Sequence, residues 1–290
     1  MPKTIVTHQN PDLDAIMSTW LLVRFDQPRY GDAKLVYIPG STTYKDLPVD
    51  GNLDVVHVDV GFGRYDHHQK GRQDTCASEL VYKSLVEEGL VKPSDEALKA
   101  MIKHARAIDL FLDYDWSEAN ETRFSFTLSE IIPALHRLQI HEDEVVVRMI
   151  MVQLDGVYQK MKDLYKAREE IKEGVEFQSV WGKGLMVESG ADNVHKIAQR
   201  MGYEIVLVKN EKSQYIGIKT VPSVEKSLRP LYDKIHKLDG PPRLGEAGEG
   251  KWFYHNSGHM LLHGSSKGKK PEPSKLSIEE ILELIKSITD

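Results

Sequence analysis

His8, Asp12 and Asp14 stand within seven residues of one another, a carboxylate follows at Asp59, a compact Asp66-His67-His68 run comes next, and Asp109 lies further on. Imidazole nitrogen and carboxylate oxygen together suit borderline or hard divalent ions such as Mn2+ and Mg2+. The single cysteine, Cys76, offers no thiolate cluster that would select a softer metal. Two such ions held roughly 3.5–4 Å apart activate a water and stabilise the attacking and leaving oxygens of an in-line displacement at phosphorus. Carboxylates gathered without cations would repel one another and raise each other's pKa values, so bound metal is the simplest electrostatic account of their density. Each piece also has a plain structural use. Asn10-Pro11-Asp12 makes a good turn, Asp12 or Asp14 can cap a following helix, Asp59 can end a strand, and Asp109, like Asp113 and Asp115, can face solvent. The conjunction, not any single member, points to chemistry.

These groups need elements that bring them together. Residues 3–7 form a short β-branched run that breaks into a polar cluster and then an apolar, helix-period segment over 15–25, which reads as strand, loop and helix. Residues 34–38 and 53–60 are further strands, closed by Pro39-Gly40 and by Gly61 and Gly63. The pattern over 76–112 is helical with a break near Gly89 and Pro93, Thr127-Leu128-Ser129-Glu130 has capping-box spacing, and a long helix is expected over 142–172. Strands alternating with helices predict an α/β protein with a mostly parallel sheet flanked by helices, its sites gathered beyond the carboxyl ends of the strands. After Gly174 the character changes: strands are expected over 185–188, 204–209 and 214–219 around a helix over 192–201, with a closing helix over 278–288. The expected domains are one over 1–175, which holds the candidate metal ligands, and a smaller α/β domain over 176–290. Residues 240–250 and 267–274 read as surface loops.

The residues resemble the DHH phosphoesterases, named for their Asp-His-His motif. His8-x-Asn-Pro-Asp12-x-Asp14-Ala15 is similar to the family's first motif, Asp59 to its second, Asp66-His67-His68 to its third and Asp109 to its fourth. The spacing from Asp59 to Gln69 looks most like the melanocyte-proliferating-gene, exonuclease-like branch, whereas the short first motif is closer to pyrophosphatase-like and general phosphodiesterase members. The resemblance spans roughly residues 4–115. It implies that His8 and Asp12 hold one metal, that Asp14, His67 and Asp109 hold the other, and that Asp59 bridges both. Asp66 would support the site from behind, and His68 would contact substrate phosphate. Asp59, Asp66, His67 and His68 are thus the candidate catalytic residues, Mn2+ the expected metal with Mg2+ possible, and hydrolysis of a phosphate ester the expected reaction.

The second half holds Trp252-Phe253-Tyr254-His255-Asn256-Ser257-Gly258-His259-Met260, loosely similar to the glycine-histidine substrate motif of the family's C-terminal domain. Ser257, Gly258 and His259, with Arg243, Lys251 and Lys267 nearby, are the candidate phosphate contacts, and the aromatic run could stack on a base or fill a core. His255, His259 and His263 would align on a helix as a zinc face, but Gly258 and Gly264 argue against that helix, and no Glu follows His255. The family's pyrophosphatases carry Ser-Arg-Lys-Lys-Gln in this region. Here Gly264-Ser265-Ser266-Lys267-Gly268-Lys269-Lys270 lacks the arginine, which favours a nucleotide or short single-stranded oligonucleotide over pyrophosphate. A manganese-dependent pyrophosphatase or polyphosphatase, and a non-catalytic metal- or nucleotide-binding module, are the alternatives.

Composition sets outer bounds. The 290 residues carry 38 basic and 44 acidic side chains, a net charge of −6, which argues against a wholesale nucleic-acid coat protein and gives no expectation of stable duplex binding. At 40% hydrophobic and 28% charged residues the chain should fold. No run approaches the roughly 20 apolar residues of a membrane span, the polar stretch 7–12 interrupts any secretory apolar segment, and one cysteine cannot form an internal disulfide. A cytoplasmic, membrane-free location is the expectation.

Overall fold

The computed structural model describes residues 3–138, 142–191, 193–240, 252–264 and 272–289. The chain divides into two compact units, Met1–Met161 and Lys162–Asp290. The division falls within a long helix rather than at the expected 175/176 boundary, because the last turns of that helix, through Ala167 and Ile171, pack with Leu185, Val187 and Val206 of the second unit.

In the first unit β1 (Thr4–His8) lies between β2 (Lys34–Ile38) and β3 (Val55–His57), all parallel, with Val6 paired to both Val36 and His57. The buried Ile5, Val6, Leu35 and Val56 explain why these short β-branched runs form the sheet. Helix α1 (Leu13–Phe25) is buried along its whole first face and beyond, from Leu13 to Leu22. Asp12 is its N-cap, accepting from the Ala15 amide at 3.0 Å. A short α2 (Gln27–Tyr30) leads into β2. Helix α3 (Ala77–Glu87) and the amphipathic α4 (Glu96–Asp109), which buries Leu98, Met101, Ile102 and Ala105, complete the packing, followed by α5 (Leu128–Leu138) and the long α6 (Asp143–Lys172).

Two local expectations are corrected here. The strand expected over 53–60 is confined to Val55–His57: Leu53 is exposed, and beyond His57 the chain keeps one bond to β1, from the Val58 amide to the Val6 carbonyl, and an isolated bridge between Val58 and Tyr65 before turning through a left-handed Asp59. A helix does start beside Thr127, but without a capping box, since the Thr127 hydroxyl meets the Ser129 hydroxyl at 2.9 Å instead.

The second unit carries the larger sheet, in the order β4 (Val175–Ser179), β5 (Gly182–Glu188), β6 (Ile205–Asn210), β7 (Tyr215–Thr220), β9 (Met260–His263), β8 (Trp252–Tyr254). Only β5 and β6 pair in parallel. The mostly parallel sheet expected of the first domain is the three-stranded one, whereas the sheet of the second unit is mixed, its other neighbouring strands all running antiparallel. Helices α7 (Val194–Arg200), α8 (Arg229–Asp239) and α9 (Ile278–Lys286) cover it; α9 opens with a capping box between Ser277 and Glu280. Among the described residues no helix is long and apolar enough to cross a membrane.

Candidate metal centre

His8 ends β1 and Asp59 lies two residues beyond β3, so both sit past the carboxyl ends of neighbouring parallel strands. Three overlapping groups of ligand atoms gather there, each within 4.8 Å: His8, Asp12 and Asp59; Asp14, His67 and Asp109; and Asp59, His67 and His68. The Asp59 carboxylate joins them. Its Oδ2 lies 3.4 Å from His8 Nε2, and its Oδ1 lies 3.3 Å from His67 Nε2 and 3.6 Å from His68 Nδ1. His67 Nε2 is also 3.3 Å from Asp109 Oδ2.

Buried, unpartnered atoms test whether a cation fits. Asp59 Oδ1, His67 Nε2 and Asp109 Oδ2 point toward one another yet lack hydrogen-bond geometry, and each is shielded from water. A buried polar atom left without a partner costs about 1–3 kcal/mol, so three converging orphans of nitrogen and carboxylate type fit a shared divalent cation. The ring of His8 is set for the same use: Nδ1 donates to the Gln9 carbonyl at 2.9 Å, which leaves Nε2 toward Asp59.

The electrostatics of the metal-free cluster agree. Burial disfavours the charged forms of Asp14 and Asp109, and the neighbouring carboxylates add to it, pushing Asp14 up to about 7 and Asp109 to about 6, although Ser78 opposes the first shift and His67 the second. Asp12 is raised for the same reasons, burial first and Asp59 next. Burial would raise Asp59 too, but His67 and His8 hold it well below the usual carboxylate range. Asp59 in turn raises His67 to about 9 against its burial, with Asp109 assisting. His8 also reaches about 9, burial being outweighed by Asp59, the Gln9 carbonyl and Asp12. Two imidazolium charges thus occupy the place where a cation's charge would act.

The supporting contacts explain the local chain. Asp14 is buried beneath α3 and accepts from the amides of Ala77 at 2.6 Å and Ser78 at 3.0 Å, a carboxylate set against a helix N-terminus. Asp66 accepts from the Phe62 amide at 2.6 Å and holds His68 through both its amide, 2.9 Å, and its Nδ1, 2.8 Å. An ionised carboxylate only accepts, so Nδ1 carries the proton and Nε2 is the remaining ring atom of a side chain that is 56% exposed. Asp59 itself is left-handed, φ 55°, with its amide donating to the Tyr65 carbonyl at 2.9 Å. The tight loop to Asp66 is tied by Gln69 and Arg72, which both donate to the carbonyls of Gly63 and Asp66.

Sequence reasoning missed His136 and Asp143. His136 Nε2 donates to the Pro11 carbonyl at 3.0 Å, its Nδ1 lies 3.4 Å from Asp143 Oδ1, and Asp143 Oδ2 accepts from the Asn10 amide at 3.1 Å. Residues on α5 and α6 therefore hold the turn between two candidate ligands. A cavity of about 660 Å³ opens on the cluster, lined by Asp12, Asp14, His67, His68, Asp109 and His136 together with apolar residues from α4 and α5.

In the second unit Ser257 Oγ meets His255 Nδ1 at 2.8 Å and accepts from the His259 amide at 3.3 Å, while His259 Nδ1 lies 3.0 Å from Thr220 Oγ1. Gly258 is left-handed, φ 79°, and a Cβ there would come within 3.2 Å of Ser227 Oγ. The aromatic run splits by strand alternation: Trp252 is buried and bonds Asp239 through Nε1, Tyr254 bonds Ser227, and Phe253 faces out. His263 lies on β9, so the three-histidine helix does not form. Arg243, Lys251 and Lys267 lie outside the described residues.

No protein-family model matches the sequence, and no curated protein matches it. Among solved structures, the chain is similar to a DHH-domain protein described as a member of the s1p family of ribosomal proteins, at 12% identity over 98% of this chain and 85% of the other, with a TM-score of 0.32. It is also similar to a Methanococcus jannaschii protein described as a candidate family II inorganic pyrophosphatase, at 11% identity over 98% and 99%, with a TM-score of 0.23. Neither likeness bears on the chemistry, which rests on the cluster.

Proposed function

We propose that the chain is a phosphoesterase dependent on two divalent cations, Mn2+ or Mg2+, and that it hydrolyses phosphodiester bonds in nucleotides or short oligonucleotides. The observation that carries this is the gathering of His8, Asp12, Asp14, Asp59, His67 and Asp109 in overlapping ligand groups that contain three orphaned buried atoms, with Asp12, Asp14, His67 and Asp109 lining one cavity. His8 and Asp12 would hold one ion, Asp14, His67 and Asp109 the other, and Asp59 would serve both. When bound, the pair supplies Lewis-acid activation of water and stabilisation of charge at phosphorus. The chain does the rest. Asp66 fixes the His68 ring through Nδ1, so that its doubly protonated form would present an Nε2–H to a phosphate oxygen, and the amides of Ala77 and Ser78 keep Asp14 fixed while its remaining lone pairs face the cluster. Apolar residues from the end of α4 and from α5 line much of the cavity, a suitable setting for an ester with an organic portion.

The test is one Mn2+-dependent assay across pyrophosphate, a nitrophenyl nucleotide ester, a dinucleotide and short single-stranded RNA and DNA. The nucleotide ester and the dinucleotide are expected to turn over faster than pyrophosphate. Pyrophosphate as the preferred substrate would select the pyrophosphatase alternative, and no metal-dependent turnover of any of them would reject the phosphoesterase.

A further inference from the structure

We propose that the apolar wall of the metal-site cavity, with Phe111 as its stacking face, seats the base of the nucleotide substrate. This rests on the phosphoesterase reading and names the part of the substrate by which the first unit selects it.

The cavity is two surfaces in one. Ligand-type residues make part of it; Ala105, Ile108, Leu110 and Phe111 at the end of α4 and Ile132 and Pro133 on α5 make most of the rest. Its volume of about 660 Å³ lies within the range of small-molecule sites and leaves space beyond a phosphate group. Phosphate oxygens placed against that carbon wall would lose water and gain no donor, whereas a planar heterocycle loses little there and gains contact over its whole face. Asn10, Gln73 and Ser129 at the lining offer amide and hydroxyl groups for the polar edge of such a ring.

Phe111 is exposed where a core role would bury it. It is 81% exposed, and its backbone is left-handed, φ 57°, a region sparsely populated by bulky side chains. The conformation is held from both sides: the Phe111 amide donates to the Ile108 carbonyl at 3.0 Å, and its own carbonyl accepts from Tyr114 at 3.4 Å. Strained residues of this kind cluster at ligand clamps. Because Phe111 follows Asp109 by two positions, the same turn that ends α4 places a candidate ligand and an unburied aromatic ring on one cavity. Every base has a π-face, so a single ring gives affinity for nucleotides with little preference among bases.

The experiment is calorimetric binding of adenosine monophosphate, ribose 5-phosphate and inorganic phosphate to the full chain at saturating Mn2+, after a separate Mn2+ titration. Adenosine monophosphate is expected to bind on the order of tenfold more tightly than ribose 5-phosphate, the effect of one stacked base. Phe111→Ala is expected to remove most of that difference while leaving Mn2+ and ribose 5-phosphate binding unchanged, and Phe111→Tyr to retain it. Equal affinity for the two sugar phosphates, an undiminished difference in Phe111→Ala, or no binding of any phosphate compound to the Mn2+-loaded chain would overturn the assignment. Failure to bind Mn2+ would instead remove the phosphoesterase reading itself, so the two failures are distinguishable.

Discussion

Replacing Asp59 by Asn removes one charge and almost no volume from the centre of the cluster. Both oxygens of Asp59 face imidazole nitrogens, Oδ2 that of His8 and the orphaned Oδ1 that of His67, and the side chain is 1% exposed, so solvent cannot take its place. In the metal-free protein the effect on stability is expected to be small, because the substitution removes the attraction to two imidazolium rings together with the repulsion that raises Asp12 and Asp14. With metal the two forms part. Loss of a group that only orients a ligand weakens metal binding about 10–100-fold, so loss of the shared ligand should exceed the upper figure. At a Mn2+ concentration about 100 times the wild-type dissociation constant, metal stabilises the wild type by about 2.7 kcal/mol, and a hundredfold weaker site by only about 0.4 kcal/mol. At about 2–4 °C per kcal/mol for a chain of this size, the wild-type midpoint should rise about 5–10 °C and that of the variant less than about 2 °C. Scanning calorimetry of both proteins with Mn2+ and with chelator measures this directly. Equal upward shifts in the two proteins would refute the claim that Asp59 lies at the heart of a metal site.

Asp14→Ala should behave differently, lowering stability by about 2–5 kcal/mol even without metal, since it leaves the buried amides of Ala77 and Ser78 unpaired; urea unfolding in chelator reads this, and an unchanged midpoint would count against it. His136→Leu should weaken Mn2+ binding about 10–100-fold by releasing the Pro11 carbonyl, while His136→Gln, which keeps an N–H donor, should recover much of it; free Mn2+ measured by electron paramagnetic resonance decides, and identical affinities for all three proteins would dismiss the positioning role. His195 supplies the pH dependence. Burial, then the charge of Lys219, pushes its pKa down to about 3 although the Gly217 carbonyl bond opposes them. The unfolded chain therefore binds the extra proton between about pH 6.5 and 3, and stability falls on acidification through that window with a limiting slope of about 1.4 kcal/mol per pH unit. His195→Gln, which can still donate to Gly217, should remove that component from urea titrations across the same range.

Periodicity revealed the elements that it can specify. The β-branched runs at Ile5-Val6 and Leu35-Val36 became parallel strands, and the apolar spacing of Leu98, Met101, Ile102 and Ala105 became the buried face of α4. It failed where pairing partners are distant. Trp252-Phe253-Tyr254 reads as an aromatic cluster until β9 pairs with it, and α8 buries only Leu231 and Ile235 behind a proline near its start, too short a stripe to stand out. The stretch 53–60 is apolar enough for a longer strand, but backbone dihedrals, not hydropathy, end it at His57. His136 and Asp143 had no signal at all: the turn they hold lies more than 120 positions away, and a histidine and an aspartate near helix ends are commonplace.

The structural and chemical uses of the acidic residues turn out to be one device rather than rivals. Asp12 is the N-cap of α1 and a member of the first ligand group; Asp14 accepts the leading amides of α3 and belongs to the second. A carboxylate has about four lone-pair sites, so one or two amide bonds fix its orientation and leave others directed into the cluster. The helix termini also bring partial positive charge that opposes, without cancelling, the upward shift that burial gives these carboxylates. That explains how four acids can crowd together with three imidazoles among them. The fold supplies part of the neutralising charge through its helix ends, and the remaining deficit, focused on Asp59, His67 and Asp109, is what a divalent cation would fill.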